Sequence, residues 1–293
     1  MKLIPLGQLL DKSWELYTHH FSRFMKITTW LFLGSIFYLV SLALSPRGNE
    51  LGFLATQGLL SVPQMIGLAL SILGMGLIFS LIRLWAQMEL IQTADIIEKK
   101  APTAAADVHK RTWNLALPFL GLSLFRGFLW TVPLLVLIPF YFFGVLSLTA
   151  ENFALWGALS LLSAFFGSIG GLILLVVLVM WFWFAGFALL LEGKTVMDAL
   201  RHARELIRGR FFATLWRLIV PKVLFKAVIV IAHVILFQLF TILLTNIPGL
   251  SDSLYSTLAL IIGNIVFVGS FVLTLPLFIS ADYLLYDSLR KNQ

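Results

Sequence analysis

Apolar residues occur in this chain in long blocks separated by short polar stretches. The blocks lie near 27–46, 63–85, 127–147, 157–183, 220–245 and 258–280. A helix needs about 20 apolar residues to cross the hydrocarbon core of a bilayer, so each block predicts one membrane span. Ahead of the first, third and fifth spans the pattern changes. Polar segments there carry apolar residues at helical spacing. The clearest is the third, where Ala199, Leu200, Ala203, Leu206, Ile207 and Phe211 form one stripe. Asp198, Arg201, Glu205 and Arg208 occupy the opposite face at spacings suited to i,i+3 and i,i+4 ion pairs. Thr195 is placed to cap the helix start, with Asp198 three residues on as its partner. Such a segment predicts a helix lying in the membrane interface, its apolar face toward acyl chains or the bundle.

The three polar segments align with one another. Placing Trp14 on Trp113 and Arg204 pairs Lys12 with Arg111 and His202, Ser13 with Thr112 and Ala203, and Leu16 with Leu115 and Leu206. The same offset sets Arg126 on Arg217, at the headgroup boundary rather than mid-membrane, where a guanidinium is far less costly. The predicted fold is therefore an all-α integral membrane domain of six transmembrane helices. It is built from three repeats of interfacial helix plus hairpin, at 1–100, 101–193 and 194–293. Small residues mark the even spans: Gly67, Ser71 and Gly74, then Ser163, Gly167 and Gly171, then Gly263 and Ser270. Small residues let helices approach closely in lipid, so these faces are expected to meet near a pseudo-threefold axis.

Charge fixes the expected orientation. Of 21 Lys and Arg residues, the odd connections hold only Arg47, and Lys222 and Lys226 lie inside the fifth span. The rest sit in the N-terminal lead, the even connections and the C-terminus. By the positive-inside bias, both termini face the cytoplasm of a bacterial inner membrane. The chain is 60% hydrophobic and 12% charged, which excludes an ordinary soluble domain. Its net charge of +7 borders apolar segments, which argues for anionic lipid headgroups and against nucleic acid. The first apolar run starts behind a 26-residue amphipathic lead with no small-residue cleavage site after it, so the first span is expected to be retained. Trp181 and Trp183 read as an interfacial aromatic belt.

Candidate chemistry is sparse. Cysteine is absent, which excludes disulfides and thiolate sites. His19 and His20 are adjacent and point to different sides of a helix, and no metal-ligand spacing occurs, so neither metal nor cofactor is expected. Gly167-Ser168-Ile169-Gly170-Gly171 lacks the spacing and setting of a nucleophile elbow. Lys222, Lys226 and His233 share one face of the fifth span and could form a polar track with Asn264. The plainer reading has the lysines snorkelling or pairing with Asp282, and His233 hydrogen-bonded at a helix contact.

The segment Glu192-Gly193-Lys194-Thr195-Val196-Met197-Asp198-Ala199-Leu200, continuing through Arg204-Glu205-Leu206-Ile207-Arg208-Gly209-Arg210-Phe211-Phe212, resembles a bacterial signature. It is similar to the membrane domain fused to some glycerophosphoryl diester phosphodiesterases and to related stand-alone multispanning proteins. Leu10-Asp11-Lys12-Ser13-Trp14-Glu15-Leu16-Tyr17 matches the same pattern, and Ala281–Arg290 resembles that group's closing segment. The resemblance implies a membrane module. The spans leave no room for the phosphodiesterase barrel, so its enzyme name does not transfer. The function expected is non-enzymatic, in membrane or lipid homeostasis. Lys12, Arg111, Arg201, Arg204, Arg208 and Arg210 would bind membrane lipid or a cytoplasmic or membrane protein partner. The alternative is transport of a small or amphiphilic substrate along Lys222, Lys226, His233 and Asn264.

Overall fold

The structure is a computed structural model that describes residues 3–44, 62–100, 105–149, 153–248 and 251–292. Arg47 and the last two residues of the first expected span lie outside them. The described residues are helical throughout, with no strand among them. In chain order the helices are α1 (Leu6–His19), α2 (Phe21–Thr28), α3 (Leu31–Leu44), α4 (Val62–Ser71), α5 (Phe79–Glu98), α6 (Ala105–Thr131), α7 (Ile138–Thr149), α8 (Phe153–Phe182), α9 (Ala185–Glu192), α10 (Val196–Ile207), α11 (Phe211–Thr245) and α12 (Asp252–Arg290). A π segment (Ile72–Ile78) joins α4 to α5, and a 3₁₀ segment (Val132–Leu137) joins α6 to α7.

Among the described residues, five stretches are long and apolar enough to cross a membrane: Met65–Glu98, Asp107–Ser147, Ala154–Glu192, Phe211–Thr245 and Leu254–Arg290. They coincide with the second to sixth expected spans. The first expected span begins instead inside α2, where Ile27 is buried, and α3 supplies only 14 described residues. The break between them has a chemical cause. Thr28 and Thr29 both turn their hydroxyls back onto carbonyls four residues earlier, those of Phe24 (3.2 Å) and Met25 (2.7 Å). Such back-bonding competes with the helix ladder and bends it.

The charged leads end differently in each case. α1 stops at His20. In α6 the lead and the span form one helix through Pro118, which lacks the amide donor for a ladder bond. α10 ends at Ile207; Gly209 follows with a φ of 76° that favours glycine, and α11 starts at Phe211.

The chain forms two compact units. One comprises Lys2–Thr112 and Trp216–Leu285, the other Trp113–Leu215 and Tyr286–Gln293. In the first, α3 packs on α4 and the π segment. Gly34 makes this possible, since a Cβ there would lie 2.8 Å from the Cα of Phe79. Within the same unit the Arg83 guanidinium lies 5.1 Å above the Phe271 ring.

In the second unit α7 and α8 form a hairpin. Gly167 and Gly171 bring α8 against the 3₁₀ segment, where an added Cβ would stand 3.0 Å from the Val136 carbonyl and 3.2 Å from that of Pro133. The 3₁₀ turn follows from Pro133, which cannot donate to the preceding turn. Gly263, in the first unit, faces the ring of Phe237 at 3.4 Å. These glycines therefore meet the preceding span of their own hairpin. Small residues serve there as the close-approach surface that lipid's lack of hydrophobic drive requires.

Gly34→Ala is expected to destabilise the protein by about 1–3 kcal/mol, the cost of overpacking against backbone that cannot swing away. Nothing lies within 4 Å of a Cβ at Gly157, so Gly157→Ala should be neutral or stabilising. Denaturant titration of both variants in detergent checks the pair.

Candidate functional site

The amphipathic stripe read in residues 196–207 is realised in α10. Thr195 donates to Asp198 Oδ2 at 2.6 Å and accepts from the Asp198 amide at 3.3 Å, closing the helix start. Ala199, Leu200, Ala203, Leu206 and Ile207 are buried, and the helix packs on α8 and α9. Arg201, Arg204 and Arg208 are all exposed on the other side. The Arg204 guanidinium sits 4.5 Å above the Trp181 ring, so this tryptophan supports an arginine as well as lying at the end of α8. Arg201 approaches Asp198 only to 4.0 Å, with both side chains exposed, an ion pair of little energetic consequence.

The other basic residues of the expected set divide. Lys12 is exposed on α1, and Arg111 is exposed on α6. Arg210 is half-buried and donates to the Asn292 carbonyl at 2.9 Å, so its charge anchors the C-terminal segment. Near Lys12 in sequence, burial pushes the Tyr17 hydroxyl up to about 12, keeping it a neutral donor.

Beneath α10 lies a polar cluster that the sequence does not announce. α9 ends at Glu192, and Gly193 follows in the left-handed conformation, φ 67°, which turns the chain into α10. The Glu192 carboxylate accepts from the Tyr286 hydroxyl. Lys194 Nζ approaches it to 3.0 Å and His202 Nε2 to 3.4 Å. Tyr286 is fully buried and stacks on Phe187 at 5.4 Å. One carboxylate thus gathers a phenol, an ammonium and an imidazole from four stretches of chain. This arrangement ties helices together. No set of three or more His, Asp or Glu side chains converges as metal ligands among the described residues.

Arg126 performs a related task. α8 stops at Phe182, and a turn at Trp183–Phe184 leads into α9. The Arg126 Nη2 donates to the carbonyls of Phe182 (2.5 Å) and Trp183 (2.9 Å). A cation at a helix C-terminus also suits the helix dipole. Gly186 leaves room for this approach, since a Cβ there would lie 3.0 Å from the Phe119 ring and 3.7 Å from Arg126. Its aligned counterpart Arg217 likewise donates to a backbone carbonyl, that of Ile4, at 2.8 Å.

The residues of the possible polar track have separate partners. Lys222 pairs with Asp282 at 2.8 Å. His233 contacts the Ser270 hydroxyl at 3.1 Å across a helix contact. Lys226 is exposed. Asn264 is buried in the wall of an open groove of about 840 Å³, lined also by Met75, Phe237, Tyr255 and Phe267. The pairings foreseen as the plainer reading are those observed for Lys222 and His233. No protein family, curated protein or solved structure matches this chain.

Removing the phenol in Tyr286→Phe should destabilise the protein by about 1–2 kcal/mol, as should Glu192→Gln. Because the two groups share one hydrogen bond, the double variant is expected to cost less than the sum. A double-mutant cycle from denaturant unfolding gives the coupling directly.

Proposed function

We propose that this chain is a non-enzymatic, multi-pass protein of the bacterial inner membrane. In this reading it binds anionic lipid headgroups, or a protein partner, through basic interfacial helices. The observation that carries the reading is the α10 surface. Arg201, Arg204 and Arg208 are exposed together, opposite a fully buried apolar stripe, and internal pairing uses almost none of their charge. Lys12 and Arg111 would extend the same surface chemistry on the other leads. Each basic residue near an anionic leaflet contributes about 1 kcal/mol to surface attraction.

The finer architecture belongs to the same proposal: six spans, with α3 beginning the first, in repeats 1–100, 101–193 and 194–293. Burial at aligned positions supports it. Leu9, Val108 and Ala199 are all nearly inaccessible, as are Ser13, Thr112 and Ala203. A helix end, a proline and a left-handed glycine also align, at His19, Pro118 and Gly209. We assign the chain, on the resemblance of its charged leads, to stand-alone modules like the membrane domain of glycerophosphoryl diester phosphodiesterases. Both termini would then face the cytoplasm.

A second reading, transport of a small or amphiphilic substrate, is favoured by one observation. The Asn264 Oδ1 is buried without a hydrogen-bond partner among the described residues and borders the 840 Å³ groove. A path for substrate would use that oxygen.

Replacing Arg201, Arg204 and Arg208 by Gln is expected to weaken binding of short-chain phosphatidylglycerol to the detergent-solubilised protein by about ten- to a hundredfold. Unchanged binding would sink the α10 reading, and loss of flux on Asn264→Ala would favour transport. Orientation is checked separately. The chain has no cysteine, so Asp107→Cys should resist, and Asn246→Cys should accept, an impermeant thiol reagent on intact cells.

A further inference from the structure

The first unit contains a second polar site that shares no residue with α10. On α2, Arg23 and Lys26 are spaced i and i+3 and share a face, and Trp30, in the turn between α2 and α3, lines the same pocket. On α5, Trp85 and Glu89 are spaced i and i+4 and do the same. The two helices pack together, and their faces enclose a pocket of about 320 Å³. His109, at the start of α6, lines its rim with its ring 5.9 Å from Trp85.

Two atoms in this pocket are incomplete. Glu89 Oε2 and the Trp85 indole Nε1 are both buried without a hydrogen-bond partner among the described residues. A buried acceptor and a buried donor left unmade are each costly, and native structures rarely keep them so. A ligand that completes both must offer a donor and an acceptor. The wall charges say more. Arg23 and Lys26 suit a phosphate, while Glu89, with Trp30 and Trp85 in the same lining, suits an ammonium, held by a charge-assisted hydrogen bond and by aromatic faces.

A second cavity gives the rest of the ligand's shape. A groove of about 640 Å³ borders the pocket and shares Lys26 and Trp30 with it. It continues along Met25, Leu33 and Ile36, which lie on the same side of α2 and α3. A charged head pocket joined to an apolar trough at a lysine and a tryptophan matches an amphiphile at the membrane interface, where both side chains are at home.

We infer that this paired cavity holds one glycerophospholipid whose headgroup carries both a phosphate and a primary ammonium, an ethanolamine-type lipid. Its phosphate meets Arg23, Lys26 and the Trp85 N–H. Its ammonium meets Glu89, and one acyl chain lies along Met25, Leu33 and Ile36. The inference rests on the lipid-binding reading and names a second, selective site for it. A lipid with phosphate alone would leave Glu89 opposed by like charge.

The test uses the full chain in dodecyl maltoside, mixed with equal amounts of dimyristoyl phosphatidylethanolamine and dimyristoyl phosphatidylglycerol, and read by native mass spectrometry. One phosphatidylethanolamine should be retained preferentially. Glu89→Gln should lower its retention relative to phosphatidylglycerol by about tenfold, the loss of one charge-assisted hydrogen bond. Trp85→Phe keeps the ring and removes only the N–H, and it should weaken retention severalfold. Arg23→Gln with Lys26→Gln should release the phosphatidylethanolamine and leave the phosphatidylglycerol held at α10. Equal retention of the two lipids by the native chain would overturn the site, as would an unchanged preference in Glu89→Gln. The α10 substitutions should leave this adduct in place. If they release phosphatidylglycerol while no preference is seen, only the ethanolamine site falls. If the preference holds while they change nothing, only the α10 reading falls.

Discussion

A helix that breaks within or beside a bilayer must find partners for the backbone groups it releases, because hydrocarbon offers no water to satisfy them. Much of this structure follows from that requirement. Where α8 ends, Arg126 takes the carbonyls of Phe182 and Trp183. Arg217 takes the carbonyl of Ile4 ahead of α1, and Arg210 takes that of Asn292 after α12. At the α2–α3 break the hydroxyls of Thr28 and Thr29 turn back onto the carbonyls of Phe24 and Met25, which bends the chain there. Each satisfied break fixes the direction in which the next helix leaves. The placement of α10, and so of its basic face, depends on the turns at Trp183–Phe184 and Gly193.

Between the spans themselves the attraction is weak, since lipid tails are as apolar as leucine. Two features then matter most. One is close backbone approach, at Gly34 against Phe79 and at Gly167 and Gly171 against the 3₁₀ segment. The other is buried charge. The Asp282 side chain is 6% exposed and that of Lys222 20% exposed, so removing either partner would leave an uncompensated charge, at a cost of about 3–5 kcal/mol. The exposed Arg201–Asp198 contact belongs to a class worth about 0–1 kcal/mol. Stability thus draws on Lys222 and hardly at all on Arg201, which is why the α10 arginines can be given to a ligand without loosening the fold.

What the sequence makes legible is what periodicity and charge encode. The α10 stripe, its Thr195–Asp198 cap and the second to sixth apolar stretches are read from spacing, while the Lys222–Asp282 pair is one of two alternatives that the lysines' place in the fifth span suggests. The alignment of repeats also moves Arg126 to the edge of a span. Its partners stay hidden, because a backbone carbonyl carries no residue identity. The Glu192 cluster is hidden for another reason: Tyr286 lies 94 positions away, and only folding shows that its hydroxyl reaches the carboxylate. The α2–α3 break escapes because threonine is compatible with both an unbroken helix and a back-bonded bend. Gly167 and Gly171 are visible as a close-approach motif, but the pattern alone does not say that Val136 and Pro133 are what they approach.

The division of labour among basic residues carries one consequence for function. A count of Lys and Arg along a membrane chain treats all of them as topological signals, yet here they fall into distinct groups. Arg126, Arg210 and Arg217 are bound to carbonyls, and Lys222 is bound to a carboxylate. Their donors are already engaged within the fold, and Lys222 alone among them has a carboxylate counter-ion in these contacts. Arg201, Arg204 and Arg208 keep an exposed face, and Arg23 and Lys26 border a pocket in which Glu89 Oε2 and Trp85 Nε1 have no hydrogen-bond partner among the described residues. Electrostatic attraction from the first of these surfaces is long-ranged and screened by salt, so it selects for net negative charge. The proposed pocket would work at contact distance, partly withdrawn from water, where a carboxylate discriminates between an ammonium and a hydroxyl. On the proposed reading, one chain would hold a leaflet loosely by its charge and a single lipid tightly by its shape.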